Sequence, residues 1–163
     1  MAASRPQNKS ASHLQMFLRI KHPSIDPAEL TRTLGIEPEH QIQAGTDTST
    51  GKRRLHNESY WLASLAVRSH EELTEQLKRG NVHSLDKKKA LLKAFANVTS
   101  IAEAMLLGRL LTFETQREFL RQLIQEGGSV TLLVQRSRDS DAFTLSPNVM
   151  RCFAELGIAL EID

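Results

Sequence analysis

The sequence predicts an α+β fold: an antiparallel or mixed sheet of five to six strands, with two short helices and an inserted helical segment packed mainly on one face. Three observations carry that prediction. Strict period-two alternation opens the chain after Leu14 and returns at its close. Asp26-Pro27 and Ser146-Pro147 each start a short helix that ends in Leu-Gly-Ile. Between these units, residues 70–126 carry apolar residues at helical spacing, an insertion between two strand-rich ends.

Residues 1–13, rich in Ala, Ser, Asn and Gln, read as a disordered tail. Leu14, Met16, Leu18 and Ile20 then alternate with Gln15, Phe17, Arg19 and Lys21, which is a half-buried strand. Asp26 caps the first short helix, Pro27 takes the position whose missing N–H costs nothing, and Gly35 closes it. A second strand follows Pro38, with His40, Ile42 and Ala44 on one side and Gln41 and Gln43 on the other. Small hydroxyl residues between Gly45 and Gly51 favour a hairpin loop. The next strand carries Trp61, Ala63, Leu65 and Val67 against Tyr60, Leu62, Ser64 and Ala66, and two apolar sides predict a central position in the sheet.

The insertion is expected to hold several helices, because Gly80 and Gly108 interrupt it. Ser69 with Glu72, and Ser100 with Glu103, fit the capping-box spacing. Ser84 is placed to cap a helix bearing Leu91, Leu92 and Phe95, and Phe113, Leu120, Leu123 and Ile124 form the stripe of a last helix ended by Gly127-Gly128. Val130, Leu132 and Val134 then predict a strand, Phe143–Leu145 a short one, and Ile158, Leu160 and Ile162 the last. Val149, Cys152, Phe153 and Leu156 line the second short helix. Its proline lies 10 positions before its glycine, against 8 in the first, so the two units share a grammar but differ in length. Generic helix punctuation explains this echo as readily as a pair of related strand–helix–strand units.

With 163 residues, the chain is sized for one domain, placed at 14–163. A net charge of +2 does not demand a polyanionic partner. Cys152 is the only cysteine, which excludes an intrachain disulfide and a cysteine-rich zinc module. No apolar run follows Arg5 and Lys9, and Ala104–Leu107 typifies the longest runs, so the sequence predicts neither signal peptide nor membrane span. The expected location is the cytoplasm.

Phe17-Leu-Arg-Ile, Asp26-Pro-Ala-Glu-Leu-Thr-Arg-Thr-Leu-Gly-Ile-Glu-Pro, Gly45 and Trp61-Leu-Ala-Ser resemble the opening of the bacterial "domain of unknown function 4279" family. Val130–Gln135 and Leu145-Ser-Pro through Leu156-Gly-Ile-Ala-Leu-Glu-Ile-Asp163 resemble its close. The resemblance covers residues 14–69 and 113–163, and residues 78–112 depart from it as extra helical sequence. It implies a small bacterial α+β domain with no established activity, and it transfers no catalytic or binding residue.

Candidate sites are sparse. Gly45–Gly51 followed by Lys52 and Arg53 has five residues between the glycines where a phosphate loop needs four, lacks the hydroxyl after Lys52, and runs into a strand. Lys52, Arg53, Arg54 and His56 form a compact basic cluster suited to an anion or a partner surface, although such clusters more often keep a hairpin soluble. Residues 78–93 hold six basic side chains against Asp86, a local charge of +5 that leaves −3 for the rest. That asymmetry suits an acidic partner or RNA, and equally the wet face of a helix. The six histidines show no metal-ligand spacing, and Cys152 lies on an apolar helix face as an inert thiol. Neither the Glu71, Glu72 and Glu75 group nor Asp139 with Asp141 shows a reason for a raised pKa.

The sequence therefore favours a non-enzymatic protein-interaction module that takes no cofactor and no metal and binds another protein or itself. Ala104–Leu111 is the segment expected to stay partly exposed, with Met105, Leu106, Leu107 and Leu110 as a self-association surface. The alternative is a nucleic-acid or phosphorylated-ligand domain using the 52–56 loop and the 78–93 segment, with Phe17 and Arg19 on the sheet's other face. A catalytic site assembled from scattered residues such as His40, His56 and an acid is a third, minor reading.

Overall fold

In the computed structural model, which describes residues 15–46, 55–65, 101–135 and 144–163 together with Lys89 and Lys93, the opening alternation becomes β1 (Gln15–His22). After it come α1 (Pro27–Leu34), β2 (His40–Ile42), β3 (Ser59–Leu65), α2 (Ile101–Thr115), α3 (Arg117–Gln125), β4 (Ser129–Gln135), α4 (Pro147–Leu156) and β5 (Ala159–Ile162). The five strands form one mixed sheet in the order β2-β3-β1-β4-β5, an α+β architecture. β3 pairs antiparallel with both β1 and β2, so β1 and β2 run parallel to each other. β4 is antiparallel to β1, and β5 parallel to β4. Both short helices are thus crossovers between parallel strands; the first skips over β3 and the second joins neighbours.

Register sorts the residues onto two faces. Met16, Leu18 and Ile20 of β1 lie level with Leu65, Ala63 and Trp61 of β3 and with Val134, Leu132 and Val130 of β4. All nine are buried. The helices lay Leu30 (α1), Leu106, Leu107, Leu110 and Phe113 (α2), Leu120 and Leu123 (α3), and Val149, Phe153 and Leu156 (α4) into the same cluster. Each such side chain contributes roughly 1.5–3 kcal/mol relative to remaining exposed. The described helices therefore all serve one face.

The two crossover helices start and stop by the same chemistry. The Asp26 carboxylate accepts from the Ala28 N–H at 2.9 Å, and the Ser146 hydroxyl accepts from Val149 N–H at 3.4 Å. Gly35 and Gly157 end them in left-handed conformation, with φ of 65° and 71°. α1 is tied to the sheet by a chain of hydroxyl bonds: Trp61 Nε1 donates to Thr31 Oγ1 at 3.1 Å, and that hydroxyl donates to the Pro27 carbonyl. Trp61 is fully buried and belongs to the core.

Several expectations change. β3 lies inside the sheet, paired on both edges, but only its Ser59, Trp61, Ala63 and Leu65 side is buried. Apolar residues on a strand's second side do not ensure that a layer covers them. Residues 144–146 form no strand. Gly108 sits buried inside α2 and does not break it; the break comes at Gln116, where the N–H turns to the Phe113 carbonyl three residues back. Glu103 is buried, and its Oε1 accepts from the backbone N–H of Ser146 at 2.8 Å, so its carboxylate serves the N-terminus of α4. Ser69, Ser84 and Ser100 lie outside the described residues.

Candidate functional site

Of the predicted basic cluster, Lys52, Arg53 and Arg54 lie outside the described residues. His56 is half-buried and closes the hairpin, donating its N–H to the Thr46 carbonyl and accepting from Gly45 N–H. In the basic 78–93 segment only Lys89 and Lys93 are described; both are helical and exposed. The predicted self-association surface requires correction. Leu106, Leu107 and Leu110 are 0%, 1% and 1% exposed, because α2 turns them into the core. Leucines that hold the sheet cannot also meet a partner. The side chain of Met105 lies outside the described set.

No described helix covers the other side of the sheet. On β1 it carries Phe17, Arg19 and Lys21; on β3, Tyr60, Leu62 and Ser64; on β4, Leu133. β2 adds His40 opposite Leu62 and Ile42 opposite Tyr60. The His40 ring meets Tyr60 edge-on, with centroids 5.7 Å apart. Phe17, Tyr60, Leu62, Leu133 and Ile42 are each half-buried, a tile of side chains shielding one another with no described helix above them.

The charges on this face are paired within the chain. Arg19 reaches over β4 to Glu161 on β5, with Nη2 and Oε2 2.7 Å apart. Thr131, level with Arg19 on β4, is buried by that arrangement. Lys21 Nζ lies 3.4 Å from Glu58. Ion pairs this open to solvent add at most about 1 kcal/mol each, yet they offset the charges of Arg19 and Lys21 beside the apolar side chains.

At one end of the sheet, buried His22 links two turns. Its Nδ1 accepts the N–H groups of Ser24 and Ile25 at 3.1 and 2.9 Å, and its Nε2, which makes no hydrogen bond, lies 3.4 Å from Glu126 Oε2. Gly128 permits this approach: a Cβ there would lie 2.8 Å from the His22 ring and 2.7 Å from the Leu123 carbonyl oxygen. On the helical side, Arg117 grips Glu114 with two hydrogen bonds of 2.7 and 2.6 Å. That fork, with Glu155 and Glu118 nearby, raises the Arg117 pKa and locks its charge. Both clusters hold neighbouring elements together. Among the described residues, no group of three or more His, Cys, Asp or Glu is placed to hold a metal ion, and no helix is long and apolar enough to cross a membrane.

Sequence reasoning assigned Phe17 and Arg19 to the sheet's other side but used Tyr60 and Leu62 only as the second apolar side of a central strand. The His22 and Glu126 contact joins residues far apart in sequence, and no local pattern announces it. A family described as Domain of unknown function (DUF4279) matches residues 12–163, a span that includes the segment 78–112. No curated protein and no solved structure matches the chain. The chain belongs to the DUF4279 family.

Proposed function

We propose that this member of the family is a non-enzymatic, cytoplasmic bacterial protein-interaction module, and that the open face of its sheet is the surface that binds. One observation supports the reading above the rest: the described helices crowd one side, while Phe17, Tyr60, Leu62, Leu133 and Ile42 form an apolar tile on the other. Apolar centres with a neutralised rim suit a protein partner, since desolvating them yields binding energy and the flanking pairs need not be broken. Arg19 and Lys21 already have carboxylate partners, which disfavours this face as a phosphate-binding strip. The competing reading, a nucleic-acid or phosphorylated-ligand domain, relies on Lys52, Arg53, Arg54, His56 and the 78–93 charge instead.

Affinity capture from nuclease-treated native extract, with three baits side by side, tests the proposal. The wild type and Leu55→Lys, altered at an exposed residue away from the tile, retain the same protein in fixed ratio. Phe17→Glu, with its Tm within about 2 °C of the wild type, loses it. Retention by Phe17→Glu at the wild-type level overturns the proposal. Capture of nucleic acid in untreated extract, released by moderate salt, transfers the function to the basic segments.

A further inference from the structure

Among the described residues, the β5 edge of the sheet is a second feature without a partner. Asp163 N–H donates to the Val134 carbonyl at 3.0 Å, which fixes the direction of every amide along the strand. N–H and C=O groups alternate side to side, so Ala159, Glu161 and Asp163 turn toward β4, whereas Leu160 and Ile162 turn theirs outward. β5 ends the strand order, and no described strand pairs with that outer edge. Such an edge is a template for another strand, and natural sheets commonly blunt it with charge, proline or a bulge. Here the outward residues are Leu160 and Ile162, and Ile162 is 47% exposed.

A neighbouring helix extends the same patch. α4 aims Val149, Phe153 and Leu156 at the core and brings Glu155 on one flank to within 4.0 Å of Arg117 on α3. At 100° per residue, Met150 falls on the flank opposite Glu155, away from α3. It too is 47% exposed, so two of the three exposed large hydrophobic residues among those described lie at this end of the molecule. Leu160 stands three residues beyond Gly157, roughly 10 Å along the strand, and about seven helical residues span the same distance. Counting back from Gly157 reaches Met150, level with Leu160.

We propose that the β5 edge pairs with β5 of a second copy of this chain, antiparallel about a two-fold axis at Leu160, to join the two sheets into one. The chemistry selects both partner and register. With the axis at Leu160, the two Leu160 residues exchange their outward N–H and C=O groups, and each Ile162 N–H meets the Ile158 carbonyl of the other copy. Glu161 then lies beside Ala159. Shifting the register so that the axis falls at Glu161 sets two carboxylates directly opposite, a destabilising arrangement. The Leu160 axis also brings the two Met150 side chains together, so one symmetry operation covers both exposed hydrophobic residues. The pairing uses the edge of the sheet and leaves its open face free, so it stands or falls separately from the function proposed above.

Light scattering on the purified chain over a dilution series reads the outcome. The expected mass approaches twice 18.3 kDa at high concentration and falls to 18.3 kDa on dilution. Ile162→Pro removes an outward donor that β4 does not use, and Met150→Lys sets two charges together at the axis; each yields the monomer mass with Tm retained. Leu55→Lys keeps the wild-type mass. In the wild type, amide exchange at Leu160 and Ile162 slows at least tenfold between dilute and concentrated samples, a readout that needs no variant. A monomer at every concentration, exchange at those amides that ignores concentration, or a dimer that survives both edge variants overturns the proposal.

Discussion

Trp61 and Leu62 are chain neighbours on opposite faces of one sheet, and their surroundings have little in common. Trp61 is enclosed by the core and held by a hydrogen bond to Thr31; Leu62 lies half-buried between His40 and Arg19 in the rows of the open face. Leu132 and Leu133 repeat the contrast on β4. The difference teaches that hydrophobicity specifies a preference for burial but not what supplies it. The core face receives the helices α1 to α4, while on the other face the described residues shield one another with their own side chains.

The strongest test of that contrast is a pair of truncations one residue apart. Trp61→Ala is expected to cost about 4 kcal/mol, since it opens a cavity and removes the hydrogen bond to the Thr31 hydroxyl, whereas Leu62→Ala costs about 1 kcal/mol. Urea denaturation of both variants checks this, and equal losses would show that the open face is packed as tightly as the core. Next comes Gly128→Ala, expected to cost about 2–3 kcal/mol because the new methyl group meets the Leu123 and Lys21 carbonyl oxygens, which cannot rotate away. Gly157→Ala sharpens the point: its clash is with the flexible tip of Ile124, so the expected loss is nearer 1 kcal/mol, mostly left-handed strain, and comparable with Gly35→Ala, where a methyl group meets nothing. Thermal unfolding ranks the three. The smallest effect belongs to the open face, where Glu161→Gln should change stability by less than about 1 kcal/mol and lose even that at high salt.

Much of the fold was legible because its signals are local. Asp26-Pro27, Gly35, Ser146-Pro147 and Gly157 mark helix ends through groups within a few residues, and each was found where the backbone required it. The alternation of β1 and β4 named the core side correctly for the same reason. Failures came wherever a third element decided. Gly108 signals a break only if the helix around it is exposed, and α2 is buried there. Leu106, Leu107 and Leu110 looked surplus until the sheet was seen to need covering along its whole length. The candidate surface was half visible: the pattern separates Phe17 from Leu18, but only the strand order shows that Phe17, Leu133, Tyr60 and Leu62 meet. Glu103 capping Ser146 across 43 residues had no local signature at all.

Hydroxyl-radical footprinting of the free chain, with each rate corrected for intrinsic side-chain reactivity, tests the two-faced sheet most directly. Phe17 and Tyr60 are predicted to oxidise at least several-fold faster than Trp61 and Phe153, because solvent reaches only the open face. Equal protection of all four aromatics would contradict the account, and with it the surface on which the proposed function depends.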